Sequence, residues 1–290
     1  MIRGGTPESQ RDLLVELHAE NCLKTLSSLS DASIDLMVTS PPYDDLRRVY
    51  VNLGIDDFNA IAAELYRALK PGGVLVWVVG DAVKNGSETL TSFRQALHFV
   101  DVVGFRMHDT MIYEKHNFAF PSKNRYHQVA EYMFVLSKGE PKTFNPIMKP
   151  NACAGTQVYG ANRKHGRDGM VEMPKRVYAA MGMLTNVWKR LKESVSPEPE
   201  VSILSNIWRM LTSGARPLER KWKHSAKFPE ELAERHILTW SNPDDIVYDP
   251  FCGSGTTGVC AVRNHRNFIG SDIDPNNIKM TDKRIKEVRK

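Results

Sequence analysis

The 290 residues are 41% hydrophobic and 25% charged, a balance that suits one large α/β domain with a smaller inserted module and gives no sign of long disorder. The longest strongly apolar run, Val74 to Val79, is far too short to cross a bilayer. Met1 to Asp12 is polar and unlike a signal peptide, so no membrane association and a cytoplasmic location are expected. The net charge of +5 is uneven: residues 140–227 hold 16 Lys or Arg against 7 Asp or Glu, a candidate phosphate-binding footprint beside a slightly acidic body.

Leu13 to Leu17 reads as a short strand, and Ile34 to Thr39 as a buried one that stops at Ser40-Pro41-Pro42-Tyr43. Two consecutive prolines cannot continue a ladder, so the chain leaves the sheet there. Asp57 to Leu69 has helical periodicity, with Phe58, Ile61, Ala62, Leu65 and Leu69 on one face. Lys70-Pro71-Gly72-Gly73 stops that helix and leads into a strand, Val74 to Val79. Leu90 to Val102 predicts a helix, and His108 to Tyr113 and Glu131 to Leu136 predict strands. Alternating helices and apolar strands point to a doubly wound, mostly parallel sheet.

The character changes near residue 140. Glu140 to Lys175 is rich in Asn, Gly, Pro and basic residues, an amphipathic helix is predicted for Lys175 to Glu193, and Ser196 to Glu200 reads as a linker. Order returns with a helix over Phe228 to Thr239 and a strand over Asp245 to Tyr248. A glycine loop then enters a helix (Gly253 to Val262), followed by a strand (Asn267 to Ile273) and a helix from Pro275. The four cysteines, Cys22, Cys153, Cys252 and Cys260, have no CxxC or paired-histidine spacing, so neither a disulfide framework nor a metal site is expected.

Two segments carry chemistry. In Asp249-Pro250-Phe251-Cys252-Gly253-Ser254-Gly255-Thr256-Thr257, glycines between a strand and a helix let the backbone approach a ligand, and the helix amides face it. A carboxylate at the tip of the next strand, Asp272 or Asp274, suits ribose hydroxyls. Taken alone, this loop fits a dinucleotide, S-adenosylmethionine, or a tight turn with no ligand. Ser40-Pro41-Pro42-Tyr43 lies at the carboxyl edge of the sheet, where open α/β sheets bind ligands. Its carbonyls and the Ser40 hydroxyl can accept from an exocyclic amine, and Tyr43 offers a face for a base, a contact worth roughly 1–3 kcal/mol. The alternative is a strand terminator with Tyr43 packed as core.

Together the two segments resemble the catalytic motif (S/N/D)-P-P-(Y/F/W) and the cofactor motif D-P-F-x-G-S-G-T-T of amino-group DNA methyltransferases. The order, catalytic turn first, then an insert, then the cofactor loop, resembles the circularly permuted β class found in restriction–modification systems. The likeness covers roughly 13–139 and 204–290, with Leu69 to Gly73, Glu131 to Lys138, Ser205 to Trp208 and His224 to Glu230 in support. It implies a Rossmann-like sheet with 1–139 as the catalytic half, 140–203 as a target-recognition insert and 204–290 as the cofactor half.

The resemblance further implies S-adenosyl-L-methionine as cofactor, double-stranded DNA as substrate and a restriction endonuclease as a possible companion, the chain acting as monomer or homodimer. Asp249, Pro250, Phe251, Gly253, Ser254, Gly255, Thr256 and Thr257 would line the cofactor. Asp272 would take the ribose, Ile273 the adenine, and Lys227 and Phe228 the methionine end. Asn21, in Glu20-Asn21-Cys22-Leu23, stands where the family's G-D-C-L has an acid. Ser40, Pro41, Pro42 and Tyr43 would hold the target base, and the serine form favours cytosine N4 over adenine N6. Arg47, Arg48, Lys123, Arg125, Arg163, Lys164 and Arg167 are candidate DNA contacts, each with a solvated surface charge as its plainer reading. No metal and no covalent intermediate are called for. The rival readings are adenine N6 methylation, a nicotinamide-dependent oxidoreductase, a non-catalytic DNA-binding module and an RNA substrate.

Overall fold

The computed structural model describes residues 13–42, 55–115, 125, 126, 128–150, 154, 155, 163–166, 169–172, 179, 181–183, 187–192, 208–212 and 229–289. In chain order come β1 (Val15–His18), α1 (Cys22–Ser28), β2 (Ile34–Thr39), α2 (Ile55–Ala68) and β3 (Leu69–Val79). A hairpin of β4 (Val83–Lys84) and β5 (Ser87–Glu88) leads to α3 (Thr91–His98), then to β6 (Arg106–Glu114) and β7 (Ala130–Ser137). Next are β8 (Met148–Pro150), β9 (Arg163–Gly166), β10 (Gly169–Glu172), β11 (Met181–Met183), β12 (Val187–Lys192) and β13 (Trp208–Thr212). Then follow α4 (Glu230–Trp240), β14 (Ile246–Asp249), α5 (Thr256–Arg263), β15 (Asn267–Ser271) and α6 (Pro275–Val288).

Nine strands form one sheet in the order β1-β15-β14-β2-β3-β7-β6-β12-β13. Neighbours run parallel except β7, which is antiparallel to both β3 and β6. The central strands are apolar on both faces because helices cover both, as a doubly wound sheet requires. Leu36, Val38, Val74, Val76 and Val78 face Leu232, Ala233 and Ile237 of α4 and Val259 and Val262 of α5. The alternate residues Met37, Leu75, Trp77 and Val79 face Leu26 of α1, Phe58, Ile61 and Leu65 of α2, and Phe99. Trp77 anchors this second layer, edge-on to Phe99 at 5.1 Å, with its indole N–H donated to Gln95 Oε1 at 2.9 Å. Truncating such a buried Trp to Ala costs about 3–5 kcal/mol.

Two expectations need correction, and a third holds in extent with a change of helix type. Of the helix predicted over Lys175 to Glu193, the described residues form β11 and β12 instead. Backbone pairing of Val187–Lys189 with Ile112–Glu114, and of Trp188–Lys192 with Trp208–Thr212, overrides the helical pattern. The Lys70–Gly73 stop is already part of β3, which starts at Leu69 with a register shift against β2 between Ile34 and Leu36. The helix from Leu90 ends its α geometry at His98 and widens into a π-helical turn, Phe99–Val103, which seats Phe99 in the core before Gly104 (φ 97°) closes it.

Candidate active site

β14 and β2 are neighbours, with Val247 opposite Leu36 and Tyr248 opposite Met37. From β14 the chain crosses through α5 to β15 on one side, and from β2 through α2 to β3 on the other. The winding therefore reverses between them, and open α/β sheets bind ligands outside the carboxyl ends of strands at such a switch point. The Ser40-Pro41-Pro42 turn leaves β2 there, and the Asp249–Gly255 loop leaves β14 beside it.

Asp249 joins the two. Its carboxylate is 2% exposed, and Oδ1 accepts from Thr39 Oγ1 at 2.6 Å and from the Phe251 N–H at 3.1 Å. Oδ2 accepts from Thr257 Oγ1 at 2.7 Å, and that hydroxyl also lies 3.2 Å from the Val38 carbonyl. Burial pushes the Asp249 carboxyl up to about 6, against the lowering pull of the Thr39, Thr257 and Phe251 hydrogen bonds. The residue before the proline turn and the second residue of α5 thus share one buried carboxylate.

The glycine loop is fixed by its own contacts. Cys252 N–H donates to the Ser271 carbonyl at 2.9 Å, Gly253 N–H to Asp272 Oδ2 at 2.9 Å, and Gly255 N–H to the Cys252 carbonyl at 2.7 Å. Gly255 has φ +78°, and a Cβ there would stand 2.6 Å from Thr281 Cγ2, so no other residue fits. Gly258 is required for packing, since a Cβ would meet the Phe268 ring at 2.5 Å. Among the described residues no side chain caps the start of α5, which leaves its first amides directed toward the loop. Behind the loop, Arg284 donates to the Ser254 carbonyl and pairs with Glu230 at 2.8 Å, while Glu230 also pairs with Arg263 at 3.0 Å. Phe251 meets Trp77 edge-on at 6.3 Å, which seats the loop on the core.

At the tip of β15, Asp272 is half-buried. Its Oδ1 accepts from the Asp274 N–H at 2.9 Å and from Asn277 Nδ2 at 3.0 Å. Ile273, beside it, is 73% exposed. A carboxylate, an uncapped helix start and a projecting apolar side chain on one edge fit a nucleoside, which needs polar partners for its ribose and an apolar one for its base.

The remaining sequence-predicted residues divide. Ser40 and Pro42 are half-buried and Pro41 is buried; Pro250, Ser254, Thr256 and Thr257 are buried around the loop. Asn21 is exposed and caps α1, its side-chain oxygen accepting from the Leu23 N–H at 2.9 Å. It follows β1, whose His18 pairs with Ser271, and so stands near Asp272 on the same edge. Arg125 donates to the Gly86 carbonyl at 2.6 Å. Arg163 and Lys164 lie on β9, which pairs with β10 apart from the nine-stranded sheet. Tyr43, Arg47, Arg48, Lys123, Arg167, Lys227 and Phe228 lie outside the described residues. Cys22, Cys252 and Cys260 are buried free thiols, and burial pushes Cys22 up to about 12. None of the three is placed to act as a thiolate nucleophile. Sequence reasoning missed Thr39, Glu230 and Arg284; Thr39 sits in an ordinary β-branched run, and the other two look like surface charges of amphipathic helices.

A doubly wound sheet whose glycine turn and proline turn leave neighbouring strands at the switch point suits an enzyme that binds a nucleoside-containing ligand beside a second reactant. A family model described as DNA methylase, for the N6/N4 class, matches residues 34–283. The orphan methyltransferase M.BamHII of Bacillus amyloliquefaciens is 44% identical over 262 residues, covering 89% of this chain and 91% of that protein. The DNA adenine methyltransferase YhdJ of Escherichia coli is 25% identical over 279 residues, covering 91% of this chain and 80% of that protein. Among solved structures, the PvuII DNA methyltransferase (cytosine-N4-specific) superposes with TM-score 0.64 at 21% identity, covering 95% of this chain and 90% of that one. A DNA modification methylase of Thermus thermophilus, complexed with S-adenosyl-L-methionine, gives TM-score 0.57 at 23% identity, with 95% and 96% covered. The chain belongs to the N6/N4 DNA methylase family, the amino-methyltransferases of restriction–modification type.

Proposed function

We propose that this DNA methyltransferase transfers a methyl group from S-adenosylmethionine to the exocyclic N4 of a cytosine turned out of double-stranded DNA. The observation that carries this reading is the buried Asp249 carboxylate, which ties Thr39, one residue before the proline turn, to Thr257 at the head of the cofactor helix. Two sites locked this closely can hold two reactants in register, and alignment of that kind supplies much of the rate in a bimolecular transfer.

The bound cofactor supplies an electrophilic methyl group on a sulfonium. The uncapped start of α5 and the Asp272 carboxylate would hold its polar parts, and Ile273 would pack on its adenine. An exocyclic amine is a weak nucleophile because its lone pair is delocalised into the ring. Pro41 and Pro42 have no N–H, so the turn presents carbonyl acceptors without backbone donors of their own. Those carbonyls and the Ser40 hydroxyl can accept both amine hydrogens, drawing nitrogen toward sp3 and aiming its lone pair at the methyl group. The same acceptors ease the positive charge that develops on nitrogen, and no enzyme thiol takes part.

Ser40, at the first position of the turn, supports cytosine N4, since the serine form of this motif favours that base. The test is nucleoside mass spectrometry of DNA incubated with the protein and S-adenosylmethionine. N4-methylcytosine is expected. N6-methyladenine as the only product would overturn the choice of base, and unmodified DNA would overturn the whole reading.

A further inference from the structure

We propose that the β4–β5 hairpin and the neighbouring Arg125-Tyr126 pair form a wall that docks double-stranded DNA beside the base turn, with Tyr126 stacking on an exposed base. This rests on the function proposed above and extends it to a surface.

The wall is on the ligand edge. β3 is the neighbour of β2, and the hairpin follows directly from its carboxyl end. β7, which Arg125 and Tyr126 precede, is the next strand across. Two strand spacings, about 10 Å, thus separate the line of β2 from that of β7. That is within the reach of a duplex whose target base occupies the Ser40 turn.

The hairpin has a defined turn geometry and projects into solvent. Val83 pairs with Glu88 and Lys84 with Ser87 across an Asn85-Gly86 turn. Asn85 (φ 51°) and Gly86 (φ 79°) take the left-handed values that a two-residue I′ turn demands. All six residues are exposed, including Val83 at 41%. Isolated two-stranded hairpins are marginal in water, so this one needs outside support. The 4% exposed Asp81 accepts from the Ser92 N–H at 2.9 Å, and the Thr89 N–H closes the base on the Ala82 carbonyl at 2.9 Å. Arg125 holds the tip, at 2.6 Å from the Gly86 carbonyl. Leu90, where the loop enters α3, is held at φ 55° and is 43% exposed. Left-handed backbone at a non-glycine residue costs energy and clusters at ligand sites.

Tyr126 is 99% exposed, next to that guanidinium. The bond to Gly86 uses one of the five donors of Arg125, so the same side chain can also reach a phosphate. A projecting aromatic, a guanidinium and a stiff polar turn in continuity with a base-binding edge match nucleic acid: the ring stacks on a base and the cation meets the backbone.

The test measures transfer of labelled methyl groups from S-adenosylmethionine to DNA from a methylation-free host, using the full chain. Tyr126→Ala is expected to raise the KM for DNA about tenfold and to leave the KM for S-adenosylmethionine within twofold. Tyr126→Phe should recover most of the loss. Gly86→Val, whose added side chain meets nothing within 4 Å but is strained at φ +79°, should raise the DNA KM by deforming the turn. The thermal midpoint of Tyr126→Ala should stay near wild type, since Tyr126 is exposed, while that of Gly86→Val should fall slightly because of the strain at φ +79°. A DNA KM within twofold of wild type in Tyr126→Ala or Gly86→Val, or equal loss in Tyr126→Phe and Tyr126→Ala, would overturn the wall while leaving the methylation reading intact. A wild-type protein that labels no DNA would overturn both.

Discussion

Replacing Thr39 with Val keeps the shape of the side chain and removes only the hydroxyl that donates to Asp249 at 2.6 Å. Both groups are buried, so no water replaces the bond. A hydrogen bond to a charged group contributes roughly 1.5–3 kcal/mol, but only while the carboxylate is charged. Asp249 is raised from 3.8 to about 6, so the folded protein holds this proton more tightly than the unfolded chain. The stability that this proton provides is complete below about pH 4 and is lost as pH rises through 6, by up to about 3 kcal/mol. Thr39→Val pushes the carboxyl higher still. The variant should therefore lose about 1.5–3 kcal/mol at pH 8 and clearly less at pH 5, where most of the carboxyl is already protonated. Urea unfolding of both proteins at the two pH values measures the difference. An equal loss at both, or a loss under about 0.5 kcal/mol at pH 8, would refute the view of Asp249 as the charged bridge between the two turns. Titration calorimetry with S-adenosylmethionine should also show weaker binding by the variant, because the bridge holds the start of α5.

Ile273→Ser should weaken S-adenosylmethionine binding by about ten- to a hundredfold, the worth of burying an Ile side chain. The thermal midpoint should be unchanged because Ile273 is 73% exposed in the folded protein, and calorimetry with differential scanning checks both. Glu230→Gln leaves Arg284 (3% exposed) and Arg263 without their shared carboxylate, and urea unfolding should report a loss of about 3–5 kcal/mol. His236 is fully buried, and burial, helped by Arg235, lowers it from 6.5 to about 3. Its contribution is present above pH 6.5 and is lost as pH falls toward 3. Relative to wild type, His236→Leu should gain about 3 kcal/mol between pH 6.5 and 4, measured by urea unfolding across that range.

Local pattern made much of this site readable. Leu36 to Val38 in β2 and Val74 to Val79 in β3 are apolar stretches because both their faces are covered. Pro41-Pro42 cannot continue a ladder in any context, and Gly255 takes the left-handed turn that opens α5. The order of proline turn and glycine loop already resembles that of the family to which the chain belongs. What escaped was set by tertiary pairing. Asp249 was visible as part of a loop, but its partner Thr39 lies 210 residues away. Glu230 and Arg284 sit 54 residues apart on different helices, where each alone reads as solvated charge. β12 took a strand over a predicted helix because β6 and β13 offered ladder partners. Motif position alone makes Asn21 a candidate cofactor contact; in the structure its amide oxygen caps α1, a role its residue type permits at any helix start.

The most direct check uses S-adenosylmethionine carrying a deuterated methyl group, with wild-type protein and Ser40→Ala acting on unmethylated DNA. The account predicts N4-methylcytosine bearing all three deuterons from the wild type, and a steep loss of that product from Ser40→Ala at unchanged S-adenosylmethionine affinity. Label on no DNA base, or equal labelling by both proteins, would contradict it.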